Sequence, residues 1–246
     1  MHQVTLEYTV ASTVSARVHQ PPTLVFASAN WASLATELPD SVALSDRDTG
    51  EIVVDHRSSW VRRVSANASE LFIKTYEYTS WGERFGNWAK WTAPWRRSRA
   101  AREWAALTWL RTHGFAAPEP LACFESRRLG FLRRATLITT AFDGEAADQI
   151  LPTSDASTQR DLAAAIGAFV VALHERGFRD RNLDLRNLLV QHRGGQITIA
   201  KIDSPRFRLV QPGRREDALA IADWNRLLPQ LAQFGVADDA RNSAKS

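Results

Sequence analysis

The sequence predicts an α+β fold in two lobes: a small antiparallel β-sheet carrying one helix, then a mostly helical half that contains a β-hairpin. Three observations predict it. Successive β-type runs from Glu51 to Tyr78 are joined by tight turns. One helical pattern, about Ser98 to His113, separates them from two further strands. After that come a long one-faced helix, a hairpin bent at Gly194-Gly195 and a final helix.

The elements follow in order. Residues 1–55 mix short β-type runs ("VTLEYTV", "PTLVFAS") with loop signals ("PDS", "DRDTG") and read as an extension packed on the first lobe. Strands are expected at "EIVVDH", "SWVRRVSA" and "ELFIKTYEY". A Trp-rich basic segment follows, Trp81 to Arg97, and the helix after it stops at Gly114. "AAPEPLACFE" and "ATLITTAF" read as strands, and "DGEAADQILPTSDAS" as a loop. The next helix, about Ser157 to Arg176, places Leu162, Ile166, Phe169 and Leu173 on one face, and Gly177 ends it. A hairpin over "NLLVQHRGGQITIAKID" precedes a helix from about Glu216 to Gln233. The lobes are therefore expected at 56–141 and 142–237, with a disordered tail over 238–246.

Composition narrows the class. The apolar fraction of 44% supports a sizeable core. One cysteine, Cys123, rules out an intrachain disulfide. The most apolar stretch, Leu162 to Leu173, is too short to span a bilayer, and "MHQVTLEYTV" lacks the pattern of a secretory signal. A cytoplasmic protein is expected, peripheral to the inner membrane if it touches one. The net charge of +4 comes almost wholly from arginine, with lysine only at 74, 90, 201 and 245. That balance admits an anionic small-molecule or surface partner, and nucleic acid is not expected.

Two constellations carry chemistry. Lys74 shares a strand face with Phe72 and Tyr76, where an ammonium is costly without an opposite charge. Glu103 sits on a stripe with Leu107 and Leu110, where a carboxylate needs a cation; the plainer alternative is a surface pair with Arg99. Asn187 and Asp203 flank the hairpin at matched distances from its turn. Antiparallel pairing brings them out side by side, and two oxygen ligands presented together suit Mg2+.

The passages "FIKTYEY", "SRAAREWAALTWLRTHGFAAPEPLA", "LHERGFRDRNLDLRNLLV" and "KIDSPRFR" together resemble the lipopolysaccharide kinase family, the Kdo and core heptose kinases, small relatives of protein kinases. The resemblance spans roughly Trp60 to Leu231 and implies a protein-kinase-like fold. It implies ATP and Mg2+ as cofactors and phosphoryl transfer to a sugar hydroxyl of an anionic glycan or glycolipid. It assigns Lys74, paired with Glu103, to the ATP phosphates, and Asn187 and Asp203 to the metal. The adenine would dock by Thr139 to Phe142, with Thr140 and Phe142 in the hinge. His174 would buttress the catalytic loop. "VRRVSANAS", Val61 to Ser69, takes the place of a glycine-rich lid, with Arg62 or Arg63 adding charge.

The catalytic loop departs from the family pattern. Counting back from Asn187, the general base falls on Asn182, and an amide cannot take a proton. Asp180 and Asp184 flank it. Asp184 is the first choice to receive the acceptor proton. Asp180 is the second, or it orients the loop through Arg179 or Arg181. The other reading of the same residues is a pseudokinase, a nucleotide-binding or scaffold module without turnover. In the Trp-rich segment, Trp88, Trp91 and Trp95 are spaced to emerge together on a short helix. They form either a cluster packed on the first lobe or a contact with an anionic membrane surface.

Overall fold

The computed structural model of the protein describes residues 22–243 apart from 37, 39–43, 45, 48–49, 67–68, 79 and 215–216. The expected strand "VTLEYTV" lies outside the described residues.

The first lobe is a six-stranded antiparallel sheet made of β1 (Thr23–Ala27), β2 (Glu51–His56), β3 (Ser59–Ala66), β4 (Ser69–Glu77), β5 (Pro120–Arg128) and β6 (Phe131–Thr140). The order across the sheet is β1-β5-β6-β4-β3-β2. Alternation along β4 divides the lobe's work between two faces. Leu71 and Ile73 turn to a cluster with Trp31, Leu121 and Phe124. Phe72 and Lys74, on the opposite face, line the cleft between the lobes. The extension therefore does two things: β1 adds an edge strand against β5, and α1 (Trp31–Ala35) places Trp31 edge-on to Phe124 at 5.6 Å.

The Trp-rich segment begins with α2 (Trp81–Gly86), opened by a capping box between Ser80 and Glu83, and continues as a single π-helical turn, Trp88–Thr92. Helix α3 (Arg99–Thr112) follows, with the Ser98 hydroxyl accepting from the Ala101 N–H. Its stripe is as expected: Glu103, Leu107 and Leu110 are all buried. His113 and Gly114 end it, and the positive φ of 79° at Gly114 suits only a residue free of a Cβ penalty.

The second lobe begins with β7 (Glu145–Ala146) and α4 (Ala147–Ile150). Helix α5 (Ala156–Glu175), capped by the Asp155 carboxylate, buries Leu162, Ile166, Phe169 and Leu173. The short strand β8 (Phe178–Arg179) pairs with β11 (Arg208–Leu209). The hairpin is β9 (Leu188–Arg193) and β10 (Gln196–Lys201), with Leu188 opposite Lys201. Helix α6 (Ala218–Ala232) comes next. The tail is a correction: disorder was expected from Asp238, but Ala237–Ser243 forms helix α7. Ala240 is buried where α7 lies against α5, and Gly167 of α5 is what permits the approach, since a Cβ there would collide with the Ala240 backbone.

Candidate active site in the cleft between the lobes

Lys74 lies mid-strand in β4, opposite Val61 and Leu137. Its ammonium is 3.1 Å from Glu103 Oε2 and also bonds Asp203 Oδ1, so one cation joins both lobes. Burial alone would lower its pKa. The carboxylates of Glu103 and Asp203, with the Tyr76 ring oxygen beside them, overcome that and hold it well above the usual lysine range. Tyr76, two residues on and on the same face, donates to Glu103 Oε2 at 2.9 Å. Burial raises its phenol too, and the Glu103 charge adds to this. Arg99 lies over the Tyr76 ring at 4.8 Å and forms no ion pair with Glu103 among the described residues. Glu103 thus meets the strand lysine, not its helical neighbour.

The hairpin ladder runs on past its strands. The Ile202 N–H bonds the Asn187 carbonyl at 3.0 Å, extending the ladder to the residue before Asp203. Asp203 then turns sharply at φ 56°, and Arg181, across the site, has φ 60°. Two non-glycine residues in the left-handed region at one cleft is the pattern expected where geometry is held for function. Asn182 connects them: its Nδ2 donates to Asp203 Oδ2 at 2.8 Å and to the Asp203 carbonyl at 2.9 Å. Asn187 Nδ2 donates back to the Asn182 carbonyl at 3.2 Å, and its Oδ1 accepts no hydrogen bond among the described residues. Burial would raise Asp203, but Lys74 foremost, then Lys201 and Arg99, hold it far below the usual carboxylate range.

The ionised Asp203 carboxylate and the Asn187 amide oxygen, at the open end of the hairpin, are oxygen ligands of the kind an oxygen-seeking cation takes while keeping water or phosphate in its remaining positions. No group of three carboxylate, imidazole or thiol ligands exists among the described residues, so a closed all-protein site of transition-metal type does not.

The catalytic loop is held from behind. His174, at the end of α5, contacts Asp223 Oδ2 at 3.2 Å through Nε2. Asp223, on α6, accepts the backbone N–H groups of Asp180 at 2.9 Å and Arg181 at 2.7 Å. The buttress expected of His174 therefore runs through Asp223, which the sequence reading missed; its only signal was a carboxylate on the apolar face of α6.

Two expectations about Asp180 need correction. Asp180 pairs with neither Arg179 nor Arg181. Its Oδ2 lies 3.2 Å from Lys201 Nζ, and both side chains are essentially inaccessible. Its oxygens accept no well-formed hydrogen bond, so the Lys201 ammonium is its main compensation. Burial pushes its carboxyl upward and Lys201 opposes this. A group sealed in this way cannot reach an acceptor hydroxyl, so it is a structural member of the loop. Arg179 instead bonds Asp217, with Nη2 at 2.9 Å from Oδ2. Asp184 is turned to two arginines, Arg226 at 3.2 Å and Arg186 at 3.5 Å, and does not line the cleft cavity.

That cavity, of about 320 Å3, is bounded by Lys74, Glu103 and Asp203 at one end. Thr139, Thr140, Phe142 and Leu137 stand at the expected hinge. Its apolar wall suits a flat heteroaromatic ring. The cover of the cavity extends beyond the segment read as a lid. Cover comes from Val53 and Val54 of β2 and Val61 of β3, whose two-residue turn is Arg57-Ser58. Residues 61–66 are strand, while 67–68 lie outside the described residues. Arg62 is buried and donates to the Leu44 carbonyl, and Arg63 bonds Glu51 at 2.8 Å, so neither faces the cavity.

The Trp-rich segment also divides differently from its spacing. Trp91 packs against the main hydrophobic core. Trp88 instead joins Phe131 at 4.8 Å, Trp95 at 5.5 Å and Phe85 at 6.1 Å, and Trp81 joins the group through Phe131 and Phe85. Trp81, Phe85 and Trp95 are 53%, 63% and 71% exposed, which makes the group a surface platform. Among the described residues, no helix is long and apolar enough to cross a membrane.

Comparison with known proteins agrees with this geometry. The family model of the lipopolysaccharide kinase (Kdo/WaaP) family matches residues 55–238. Among solved structures, WaaP in complex with acyl carrier protein superposes with a TM-score of 0.64 at 14% identity, covering 91% of this chain and 88% of that one. That likeness establishes a protein-kinase-like fold. A search of curated proteins gave no significant match.

Proposed function

The chain belongs to the lipopolysaccharide kinase (Kdo/WaaP) family, and on that premise we propose that it is an ATP- and Mg2+-dependent phosphotransferase acting on a sugar hydroxyl of a lipopolysaccharide-like or other glycan acceptor. The observation that carries this is the three-way contact of Lys74 with Glu103 and Asp203 at the mouth of an apolar cavity. Lys74 is preset to exchange its Asp203 contact for ATP phosphate oxygens while Glu103 keeps it in place. Asn187 and Asp203 would hold Mg2+, which supplies charge neutralisation of the phosphates. Asn182 acts by orientation: its amide fixes the Asp203 carboxylate. Thr140 and Phe142 would flank the adenine.

In the transfer, the acceptor oxygen forms a bond to the γ-phosphorus as the bond to the β-bridging oxygen breaks. The hydroxyl proton then passes to a carboxylate or to water. Asp184 is the partly accessible carboxylate of the loop and takes that role, tempered by Arg226 and Arg186. The transition state is loose, so positioning and charge dominate, and a weak base forfeits a share of only about 10²–10⁴-fold. A pseudokinase reading is favoured by one observation, the amide at 182 in place of a carboxylate. Transfer of labelled γ-phosphate to a panel of lipopolysaccharide core fragments separates the two. Label in the acceptor, lost in Asp203→Asn, supports the enzyme; nucleotide binding without label in any acceptor supports the scaffold.

The same reading places the protein at an anionic membrane surface through Trp81–Arg97. The exposed rings of the platform, beside Lys90, Arg96 and Arg97, are the residue types that bind the headgroup boundary. Co-sedimentation with phosphatidylglycerol vesicles, absent with phosphatidylcholine alone and weakened in a Trp81→Ala/Phe85→Ala variant, is the expected result. Equal recovery with both vesicle types contradicts it.

A further inference from the structure

Several arginines of the described residues are spoken for by carboxylates: Arg47, Arg63, Arg111, Arg127, Arg134, Arg179, Arg186, Arg193 and Arg226. The arginines around the Asp203 turn are not. Arg102 reaches from α3 to the Pro205 carbonyl at 2.6 Å and the Phe207 carbonyl at 2.7 Å, with its guanidinium 5.4 Å from the Phe207 ring. Arg208 is the next residue, opposite Arg179 in the β8–β11 pair. Arg181 immediately precedes Asn182, its backbone fixed in the left-handed region by Asp223. Arg97 immediately precedes the cap of α3. Arg97, Arg181 and Arg208 are exposed and form no ion pair among the described residues.

This gathering is unfavourable as it stands. The Arg102 guanidinium is held below the usual arginine range, first by burial and then by the charges of Arg208, Arg181, Arg97 and Arg96. The neighbouring carboxylates cannot relieve it. Asp203 is taken by Lys74 and Asn182, Asp217 by Arg179 and the start of α6, and Asp223 by backbone N–H groups and His174. Like charges assembled without an internal counter-ion are a standing cost that an external anion would remove.

We propose that Arg97, Arg102, Arg181 and Arg208 form the acceptor's anchoring site, taking a phosphate or carboxylate of an anionic glycan and so presenting a neighbouring hydroxyl beside Asn182. The inference rests on the phosphotransferase reading for the word acceptor, while the anion site itself stands on the arginines. The guanidinium forks suit phosphate or carboxylate oxygens in bidentate fashion. Arg102 is the fixed member, and Arg181 and Arg208 are the exposed arms.

The test is thermal unfolding of the full chain, with the nucleotide cleft filled by Mg2+ and a non-hydrolysable ATP analogue, titrated with pyrophosphate. Wild type is expected to melt higher as pyrophosphate is added. Arg181→Gln/Arg208→Gln should lose at least tenfold in apparent affinity, yet melt higher than wild type without ligand because repulsion is relieved. Arg181→Lys/Arg208→Lys should recover part of the response. A glutamine variant that responds like wild type, or that melts lower without ligand, overturns the proposal. Phosphatidylglycerol vesicles form a separate arm: loss of vesicle binding with an unchanged pyrophosphate response assigns these arginines to the bilayer and also overturns it. The response to the ATP analogue alone is read first, so failure of the kinase reading shows separately.

Discussion

Lys74, Glu103, Asn187 and Asp203 were legible as residues because each breaks the rule of its element. A lysine on an aromatic strand face, a carboxylate on an apolar helical stripe and a matched amide and carboxylate around one turn all ask for a partner. Asp180 and Asp184 were not legible in the same way. Their spacing gave a position in the loop, but Lys201 and Arg226, which decide their environments, arrive from β10 and α6. The Lys74–Asp203 contact carries a pH signature. Asp203 has a folded pKa below its ordinary value of 3.8, so its contribution is fully present above about pH 4 and is lost as pH falls through the folded value. Lys74 is raised above 10.5, so its contribution is present below that value and lost as pH rises through the folded one. Urea midpoints measured from pH 7 down to 2 should therefore fall on the acid side, and Asp203→Asn should flatten that limb. An unchanged acid slope in the variant would show that the carboxylate is not held by the lysine.

At the scale of elements, periodicity found the strands of the first lobe, α3, α5 and the hairpin, because each has a one-faced or alternating pattern, and Gly114, Gly177 and Gly194-Gly195 punctuate the last three. It did not find α7. Residues 237–243, "ADDARNS", carry little apolar surface, and the helix owes its place to the notch at Gly167 rather than to its own pattern. Nor did spacing place the tryptophans, since a π-turn at Trp88–Thr92 breaks the α-helical register and sends Trp91 inward. Of the segment read as the lid, Val61 lines the cavity, and Val53 and Val54 of β2 line it too, which the small residues near Ala66 did not signal. The α5–α7 contact is testable on its own. Gly167→Ala puts a methyl group against the Ala240 backbone and should cost about 1–3 kcal/mol, as overpacking does, read from denaturant midpoints. No loss, or a gain from improved helix propensity, would mean that α7 does not dock there.

For the molecule as a whole, the cleft is the junction of two lobes that share few covalent links but one ion network. Glu103 and Tyr76 belong to the first lobe, Asp203 and Asn182 to the second, and Lys74 bonds across. Arg102 adds a second tie, from α3 to the segment after Asp203. On the proposed reading, the arrangement that phosphates and metal would require is assembled in the chain itself, and ligand binding would replace one contact of Lys74 without rebuilding the site. The most direct measurement of this claim is ATP affinity by thermal shift, with and without Mg2+, in wild type and Lys74→Met. The expected result is Mg2+-strengthened stabilisation in wild type and at least a tenfold weaker affinity in the variant, the scale of one lost charge-assisted contact of about 1.5–3 kcal/mol. Equal ATP affinity in both proteins, indifferent to Mg2+, would contradict it.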